Sequence, residues 1–161
     1  MDLSGPISAT GDSGKERAPT IGGSEYALFV VDECSRYTFT TLLASKADAA
    51  DAIINLLVQL HTKFGYYPTE VHSDNGTEFC NKRLASFFTT CGITHATPYT
   101  PALNGLVERT NGILFNAARS MITHANLPSE YWGEALMAAT YTRNLAAPCY
   151  RQCYTSAGTL W

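Results

Sequence analysis

The sequence predicts one α/β domain, because apolar runs of strand length alternate with segments of helical periodicity. The run Tyr26–Asp32 is apolar enough to be a strand buried on both faces. The aromatic and β-branched run Tyr37–Leu43 follows a tight connection, which predicts a hairpin between the two. A stretch with helical spacing begins after Ser45 and ends at Gly65, before another strand-like segment. A chain of 161 residues is long enough for a single domain with a real core.

The first helix carries clear signals at both ends. Ser45 and Asp48 form the Ser-x-x-Asp pattern of a capping box, and Gly65 followed by Pro68 marks the end. Its predicted inner face consists of Ala50, Ile53, Ile54, Leu57, Val58, His61 and Phe64. We interpret His61 as a partly buried histidine with satisfied hydrogen bonds rather than as a metal ligand.

Five further elements are predicted after Gly65. They are a strand Thr69–Ser73, a helix Lys82–Cys91 closed by Gly92, a strand Ile93–Ala96, a helix from about Leu103 to His124, and a helix opened by Pro128. We expect the long helix to pack Leu106, Ile113, Leu114, Ala117, Ala118 and Met121 inward, and the last helix to bury Trp132, Ala135, Leu136 and Ala139. Residues 9–24 are rich in glycine and lack an apolar period, which indicates a loop.

Composition limits the functional classes. The formal net charge of −3 argues against a domain that grips DNA by bulk electrostatics. Either DNA affinity comes from other parts of a longer polypeptide, or the domain binds no nucleic acid. No apolar run reaches transmembrane length, and the N-terminus lacks a signal-peptide pattern. The five cysteines are odd in number and contain no Cys-x-x-Cys pair, which favours a reducing compartment.

Three acidic residues stand where a metal site could form. Asp74 ends a predicted strand and precedes an Asn-Gly pair, which favours a tight turn that leaves room around the carboxylate. Glu108 lies on the long helix, and Asn104 and Asn111 share its face by spacing. A carboxylate between two amides suits a wet, ion-binding surface and not a core. The third acid, Asp2, stands near the start of the chain.

Three motifs in order resemble one family. They are Asp-Leu-x-Gly-Pro from Asp2, Ser-Asp-Asn-Gly-x-Glu-Phe around Asp74, and Pro-Tyr-Thr-Pro-x-x-Asn-Gly-x-x-Glu-Arg ending at Arg109. Together they resemble the integrase catalytic core of copia-type LTR retrotransposons, within the retroviral integrase group, from Asp2 to about Leu145. The resemblance implies a ribonuclease H-like three-layer fold, in which a mixed sheet of about five strands has helices on both faces. We expect this core to span residues 1–148, with an irregular tail at 149–161.

The resemblance also implies a reaction. Asp2, Asp74 and Glu108 would be both the catalytic residues and the metal ligands, with Asp2 bridging two Mg²⁺ or Mn²⁺ ions. Mg²⁺ prefers a few carboxylates together with water and phosphate oxygens. Two ions about 3.5–4 Å apart can clamp the attacking and leaving oxygens of a phosphodiester. The nucleophile would be water for trimming the 3′ ends of the element and the new 3′-hydroxyl for joining them to target DNA. Asp32, the other acid near the strands, is interpreted as a turn former.

By the same resemblance, Asn75, Asn104, Asn111 and Arg109 would lie near DNA. Ordinary hydrogen bonding at helix ends and at the surface is an equally good interpretation of these four residues. The implied partners are DNA, both the element ends and the target, and further copies of the chain. No membrane and no small-molecule cofactor are expected. The implied location is intracellular, in the nucleus or in a cytoplasmic retrotransposon particle.

Two departures from the family pattern support an alternative. Thirty-three residues separate Asp74 from Glu108, two fewer than the family usually has, and only one residue precedes Asp2. The first strand is therefore expected to be largely truncated, and this chain is expected to be inactive alone. The alternative function is an inactive integrase remnant, or a domesticated module that binds nucleic acid or protein through the same fold.

Overall fold

The computed structural model describes residues 1–7, 19–74, 76–96 and 105–146. These ranges contain five strands and four α-helices. In chain order they are β1 Asp2–Ser4, β2 Tyr26–Val31, β3 Thr38–Leu43, α1 Ala49–Phe64, β4 Glu70–His72, α2 Lys82–Cys91, β5 Thr94–Ala96, α3 Gly105–Ala125 and α4 Trp132–Ala146. Short 3₁₀ turns, Lys46–Asp48 and Ser129–Tyr131, lead into α1 and α4.

The strands pair in two groups, β1–β2–β3 and β4–β5. β1 pairs antiparallel with β2, which pairs antiparallel with β3 as the predicted hairpin. β4 and β5 pair in parallel. The Met1 nitrogen donates a hydrogen bond to the His72 carbonyl, which brings the start of β1 beside β4. The five strands and the helices around them agree with the expected ribonuclease H-like architecture.

Two adjacent residues of β2 show how the sheet separates two cores. Side chains alternate between the faces of a strand. Leu28 therefore packs into the cluster formed with α1 and α2, whereas Phe29 packs into the cluster formed with α3 and α4. Both side chains are essentially inaccessible to solvent. Burying side chains of this size contributes about 1.5–3 kcal/mol each, so β2 fixes the helices on both faces.

The local signals read from the sequence are confirmed. Ser45 and Asp48 form the capping box, although it caps the 3₁₀ turn that leads into α1. Gly65 and Gly92 end α1 and α2 in the left-handed conformation that glycine adopts readily. Asp32 is a turn former, since its Oδ2 accepts hydrogen bonds from the Ser35 backbone N–H at 2.7 Å and from the Ser35 hydroxyl at 2.6 Å.

The predicted inner face of α3 is partly wrong. Ile113 is 51% exposed and Met121 is 37% exposed. The face of α3 that packs inward carries Val107, Thr110, Asn111, Leu114 and Ala118. Apolar character alone pointed to Ile113 and Met121, but the helix is rotated so that polar Thr110 and Asn111 lie beneath it.

The burial expected for α1 is wrong at one position, and the burial expected for α4 is confirmed at three. Val58 of α1 is 41% exposed, against expectation, whereas Trp132, Leu136 and Ala139 of α4 are buried as expected.

Cys80 and Cys91 are free thiols, while Cys34 is disulfide-bonded, which the cysteine count did not predict. None of the helices in the described part of the chain is both long and apolar enough to span a membrane.

Candidate active site

The sheet and α3 position the three predicted acids. Asp2 is the first residue of β1 and is half-buried. Asp74 lies two residues beyond the end of β4 and is exposed. Because the Met1 nitrogen bonds to the His72 carbonyl, β1 and β4 bring Asp2 and Asp74 to one region of the sheet. Glu108 lies in the first turn of α3 and is exposed.

The charges of these residues interact. Burial raises the pKa of the Asp2 carboxyl above its ordinary value, and the Asp74 carboxylate raises it further. A hydrogen bond from the Leu3 backbone and the nearby amino terminus oppose this rise, while Glu108 adds to it. The negative charges of Asp74 and Glu108 therefore both repel the ionised Asp2 carboxylate. Mutual repulsion among carboxylates is the electrostatic situation that a bound cation relieves.

Asn111 lies under this site rather than on its surface. Its side chain is buried, and its Nδ2 donates a hydrogen bond to Asp2 Oδ2. Its Oδ1 is buried and has no hydrogen-bond partner among the described residues. Asn111 is therefore buried rather than on the wet surface that we expected, and its predicted place near DNA stays a prediction. The spacing correctly placed Asn111 one turn from Glu108, but the rotation of α3 directs the amide at β1.

Asp74 is held in a compact turn together with a fourth acid. Asp74 Oδ1 accepts a hydrogen bond from the Gly76 backbone N–H at 3.1 Å. A Cβ added to Gly76 would lie 3.0 Å from Asp74 Oδ1 and 2.8 Å from Glu78 Cδ. The carboxylates of Asp74 and Glu78 thus flank the same small space, which only glycine leaves open. Glu78 stands inside the second sequence motif, but no role was predicted for it.

A buried serine and a histidine support the backbone next to Asp74. Ser73 is fully buried, and its hydroxyl donates to the Asp74 carbonyl at 3.0 Å. The same oxygen lies 2.7 Å from His95 Nε2, so His95 is the donor in that contact. Burial lowers the pKa of His95, and the amino terminus and His72 lower it further, which favours the neutral ring. No sequence signal indicated this pair, since it forms only through the pairing of β4 with β5.

Not every predicted site residue is brought together. Across residues 1–7, 19–74, 76–96 and 105–146, no three His, Cys, Asp or Glu side chains converge tightly enough to hold an ion. The acids are in electrostatic range of one another but do not form a closed ligand set. Arg109 is exposed beside Glu108. Asn75 and Asn104 fall outside the described residues, so their predicted positions stay predictions.

Comparison with known proteins identifies the family. The family described as Integrase core domain matches residues 8–101. The chain belongs to the integrase core domain family. This finding confirms the resemblance read from the three motifs.

Transposon polyproteins are among the relatives of this integrase core. The chain is 30% identical over 127 residues to the retrovirus-related Pol polyprotein from transposon TNT 1-94 of Nicotiana tabacum, which covers 78% of the chain and 10% of that protein. It is 32% identical over 131 residues to the corresponding polyprotein from transposon RE1 of Arabidopsis thaliana, covering 79% and 9%. The chain therefore spans about a tenth of the length of these relatives.

Solved integrase structures share the fold. The HTLV-2 integrase catalytic core domain, solved in complex with magnesium in a trimeric form, is 27% identical with a TM-score of 0.53, and the match covers 73% of each chain. A chain of the simian T-cell lymphotropic virus intasome, solved with PP2A regulatory subunit B56 gamma, is 29% identical with a TM-score of 0.57. That match covers 73% of this chain and 41% of the other.

Proposed function

We propose that this chain is the catalytic core of a retrotransposon integrase, a metal-dependent polynucleotidyl transferase that trims the element's 3′ ends and joins them to target DNA. The observation that carries the proposal is the position of Asp2 on β1 beside β4, which ends two residues before Asp74. The pKa of the Asp2 carboxyl is raised by burial, then by Asp74, and to a smaller extent by Glu108. The three acids predicted from separate motifs thus belong to one electrostatic neighbourhood on an integrase-core fold.

The donor set fits divalent metal ions. Carboxylate oxygens are the ligands that Mg²⁺ prefers, and a cation would reverse the repulsion that Asp2 experiences. We assign Asp2, Asp74 and Glu108 as ligands of two Mg²⁺ or Mn²⁺ ions. Such ions supply electrostatic stabilisation of the attacking and leaving oxygens of the phosphodiester. The magnesium complex of the HTLV-2 relative supports this assignment of the metal.

The residues of the chain have distinct parts in this proposal. Asp2 is held by β1 and by the Asn111 amide, so its carboxylate is fixed before an ion binds. Asp74 is held by its turn, whereas Glu108 lies exposed on the first turn of α3 and completes the site by a side-chain movement. Arg109 is exposed next to Glu108 and is available to a phosphate. Asn75 and Asn104 are proposed to lie near DNA on the motif alone.

The partners we propose are DNA and further copies of the chain. The HTLV-2 core was solved in trimeric and dimeric forms, and the simian virus relative was solved within an intasome. The net charge of −3 does not favour a phosphate grip by this domain alone. The DNA affinity of the whole protein is therefore assigned to regions outside this core. We place its action in the nucleus or in a cytoplasmic retrotransposon particle.

The test uses a polyprotein-derived integrase that contains this core. Glu108→Gln keeps the shape of the side chain and removes the charge, and should abolish both end trimming and strand joining. Glu134→Gln, at an exposed acid of α4, is the matched control and should retain both activities. Wild-type rates of joining in Glu108→Gln would overturn the proposed role.

Two observations favour a second function. The described acids do not converge into a ligand set, and the spacing from Asp74 to Glu108 is two residues shorter than usual. A non-catalytic module with the same fold would retain the sheet and lose the metal site. Calorimetric titration of wild type and Asp74→Asn with Mn²⁺ separates the two functions. For a catalytic core, Asp74→Asn should lose the binding heat that wild type shows. For an inactive module, the two proteins should give the same heat.

A further inference from the structure

Ser73 connects the pairing of β4 with β5 to the turn that carries Asp74. Its N–H donates to the Ala96 carbonyl at 3.4 Å, so the pairing continues one residue past His72. Side chains alternate along a strand, so Ser73 lies on the same face as Val71, which packs among residues of α1 and α2. The next residue is Asp74, and the backbone of Ser73 therefore sets where Asp74 begins.

His95 is the neighbour of Ser73 on that face. It lies opposite Val71 in the register of β5 against β4, and its ring packs on the Phe88 ring of α2 with the centroids 5.2 Å apart. Phe88 is 2% exposed, so His95 rests on a side chain that is itself held in the core. Nε2 of His95 lies 2.7 Å from Ser73 Oγ. Packing and hydrogen bonding thus fix the imidazole from two sides.

The directions of two hydrogen bonds follow from the chemistry of the Ser73 hydroxyl. Ser73 is fully buried, so its hydroxyl depends on protein partners. A serine hydroxyl carries one hydrogen and two acceptor positions. Because that hydrogen is donated to the Asp74 carbonyl at 3.0 Å, Ser73 Oγ accepts from His95, which requires a proton on Nε2. The opposite tautomer would present a bare Nε2 and draw the serine hydrogen away from Asp74.

We propose that His95 is a positioning residue for metal binding. Its Nε2–H orients the Ser73 hydroxyl, which holds the Asp74 carbonyl and so sets the position of the Asp74 carboxylate. This inference rests on the proposed function, because it takes Asp74 as a ligand of the ion. The carboxylate itself is held by the Gly76 N–H, at 3.1 Å from Oδ1. Removal of groups that orient metal ligands typically weakens metal binding by about 10- to 100-fold.

The first measurement is Mn²⁺ affinity by calorimetric titration of the full chain and its variants. His95→Gln keeps an N–H donor at about the reach of Nε2, whereas the amide of His95→Asn ends near the position of Nδ1. We expect His95→Leu and His95→Asn to weaken Mn²⁺ binding about tenfold, and His95→Gln to stay within about threefold of wild type. Ser73→Ala should match His95→Leu, since it removes the hydroxyl that joins His95 to Asp74.

A stability control separates positioning from a general loosening of the core. Ile93→Val shortens a buried side chain next to β5 and keeps every atom of the contacts among His95, Ser73 and Asp74. It should lower the thermal midpoint, as core truncations do, and leave Mn²⁺ affinity unchanged. Equal losses of affinity in Ile93→Val and His95→Leu would overturn the proposal, and so would wild-type affinity in His95→Leu or in Ser73→Ala.

Nitrogen-15 spectroscopy of the metal-free protein tests the tautomer without any ion. Burial lowers the pKa of His95, so the ring is neutral at about pH 8. Wild type should then show a proton on Nε2 and none on Nδ1, and the reverse tautomer would overturn the proposal.

Failure of the proposed function gives a different result from failure of this inference. If wild type and Asp74→Asn bind Mn²⁺ equally, or neither binds it, Asp74 is not a ligand, and both are overturned. If Asp74→Asn abolishes binding and His95→Leu preserves it, the metal site stands and the role of His95 alone is overturned.

Discussion

Asp2 and Glu108 belong to the same proposed site but are held in opposite ways. Asp2 is on β1, is half-buried, and receives a hydrogen bond from the buried Asn111 amide. Glu108 is on the first turn of a helix, is exposed, and affects Asp2 only weakly. Folding therefore fixes the position of Asp2, whereas Glu108 must move toward Asp2 when a ligand binds at the site.

The largest effect on stability is expected at Asn111, whose amide holds Asp2 in place. Asn111→Ala removes the donor to Asp2 and leaves that carboxylate oxygen without its partner, which should cost about 1–3 kcal/mol in the free energy of unfolding. Asn116→Ala, at an exposed position of the same helix, should change stability by less than about 0.5 kcal/mol. Chemical denaturation measures both. Equal effects of the two substitutions would show that the Asn111–Asp2 contact does not fix the site.

Gly76, in the turn that follows Asp74, allows a test whose expected effect is of intermediate size. Gly76→Ala places a methyl group 3.0 Å from Asp74 Oδ1 and 2.8 Å from Glu78 Cδ, so both carboxylates must move. We expect Mg²⁺ affinity to fall about tenfold, which corresponds to about 1.4 kcal/mol. Gly112→Ala in α3 meets open space and should leave affinity unchanged while stabilising the helix by about 0.5–1 kcal/mol. Unchanged affinity in Gly76→Ala would place the ions away from Asp74.

A smaller effect should appear in the pH dependence of the metal-free protein. Folding raises the pKa of Asp2 above its ordinary value of 3.8, so the folded state holds the proton more tightly than the unfolded state. The resulting stabilisation is full below that ordinary value and is lost as pH rises through the raised pKa. Asp2→Asn should therefore gain stability relative to wild type as pH rises above about 4. A pH-independent difference between the two proteins would contradict the raised pKa.

The smallest effect on stability is expected at Glu108. Its side chain is exposed, so Glu108→Gln should change the metal-free unfolding free energy by less than about 0.5 kcal/mol. The same substitution should still weaken metal binding, because it removes a ligand charge. A large loss of metal-free stability would show that Glu108 has a structural role and would remove the contrast with Asp2.

The sequence predicted local structure better than it predicted the environment of the site. Periodicity and caps located α1 and α2 well, since Gly65 and Gly92 set their ends by local backbone geometry. Asn111 was placed on the correct helix face by spacing, but its burial depends on how α3 rotates against β1. The contact between Ser73 and His95 depends on pairing of β4 with β5, which no local pattern reports.

The resemblance supplied the three acids, and the fold shows why their separation in sequence is no obstacle. Asp2 and Asp74 approach because β1 lies beside β4 in the sheet, and Glu108 follows because α3 packs across β2.

The most direct measurement of the metal site is the thermal midpoint during Mg²⁺ titration of wild type, Asp74→Asn and Glu134→Gln. An ion that binds only the folded state raises the midpoint as its concentration increases. Wild type and Glu134→Gln should show the same rise, and Asp74→Asn should lose most of it. An equal rise in all three proteins, or no rise in wild type, would contradict the account of Asp2, Asp74 and Glu108 as a metal-binding active site.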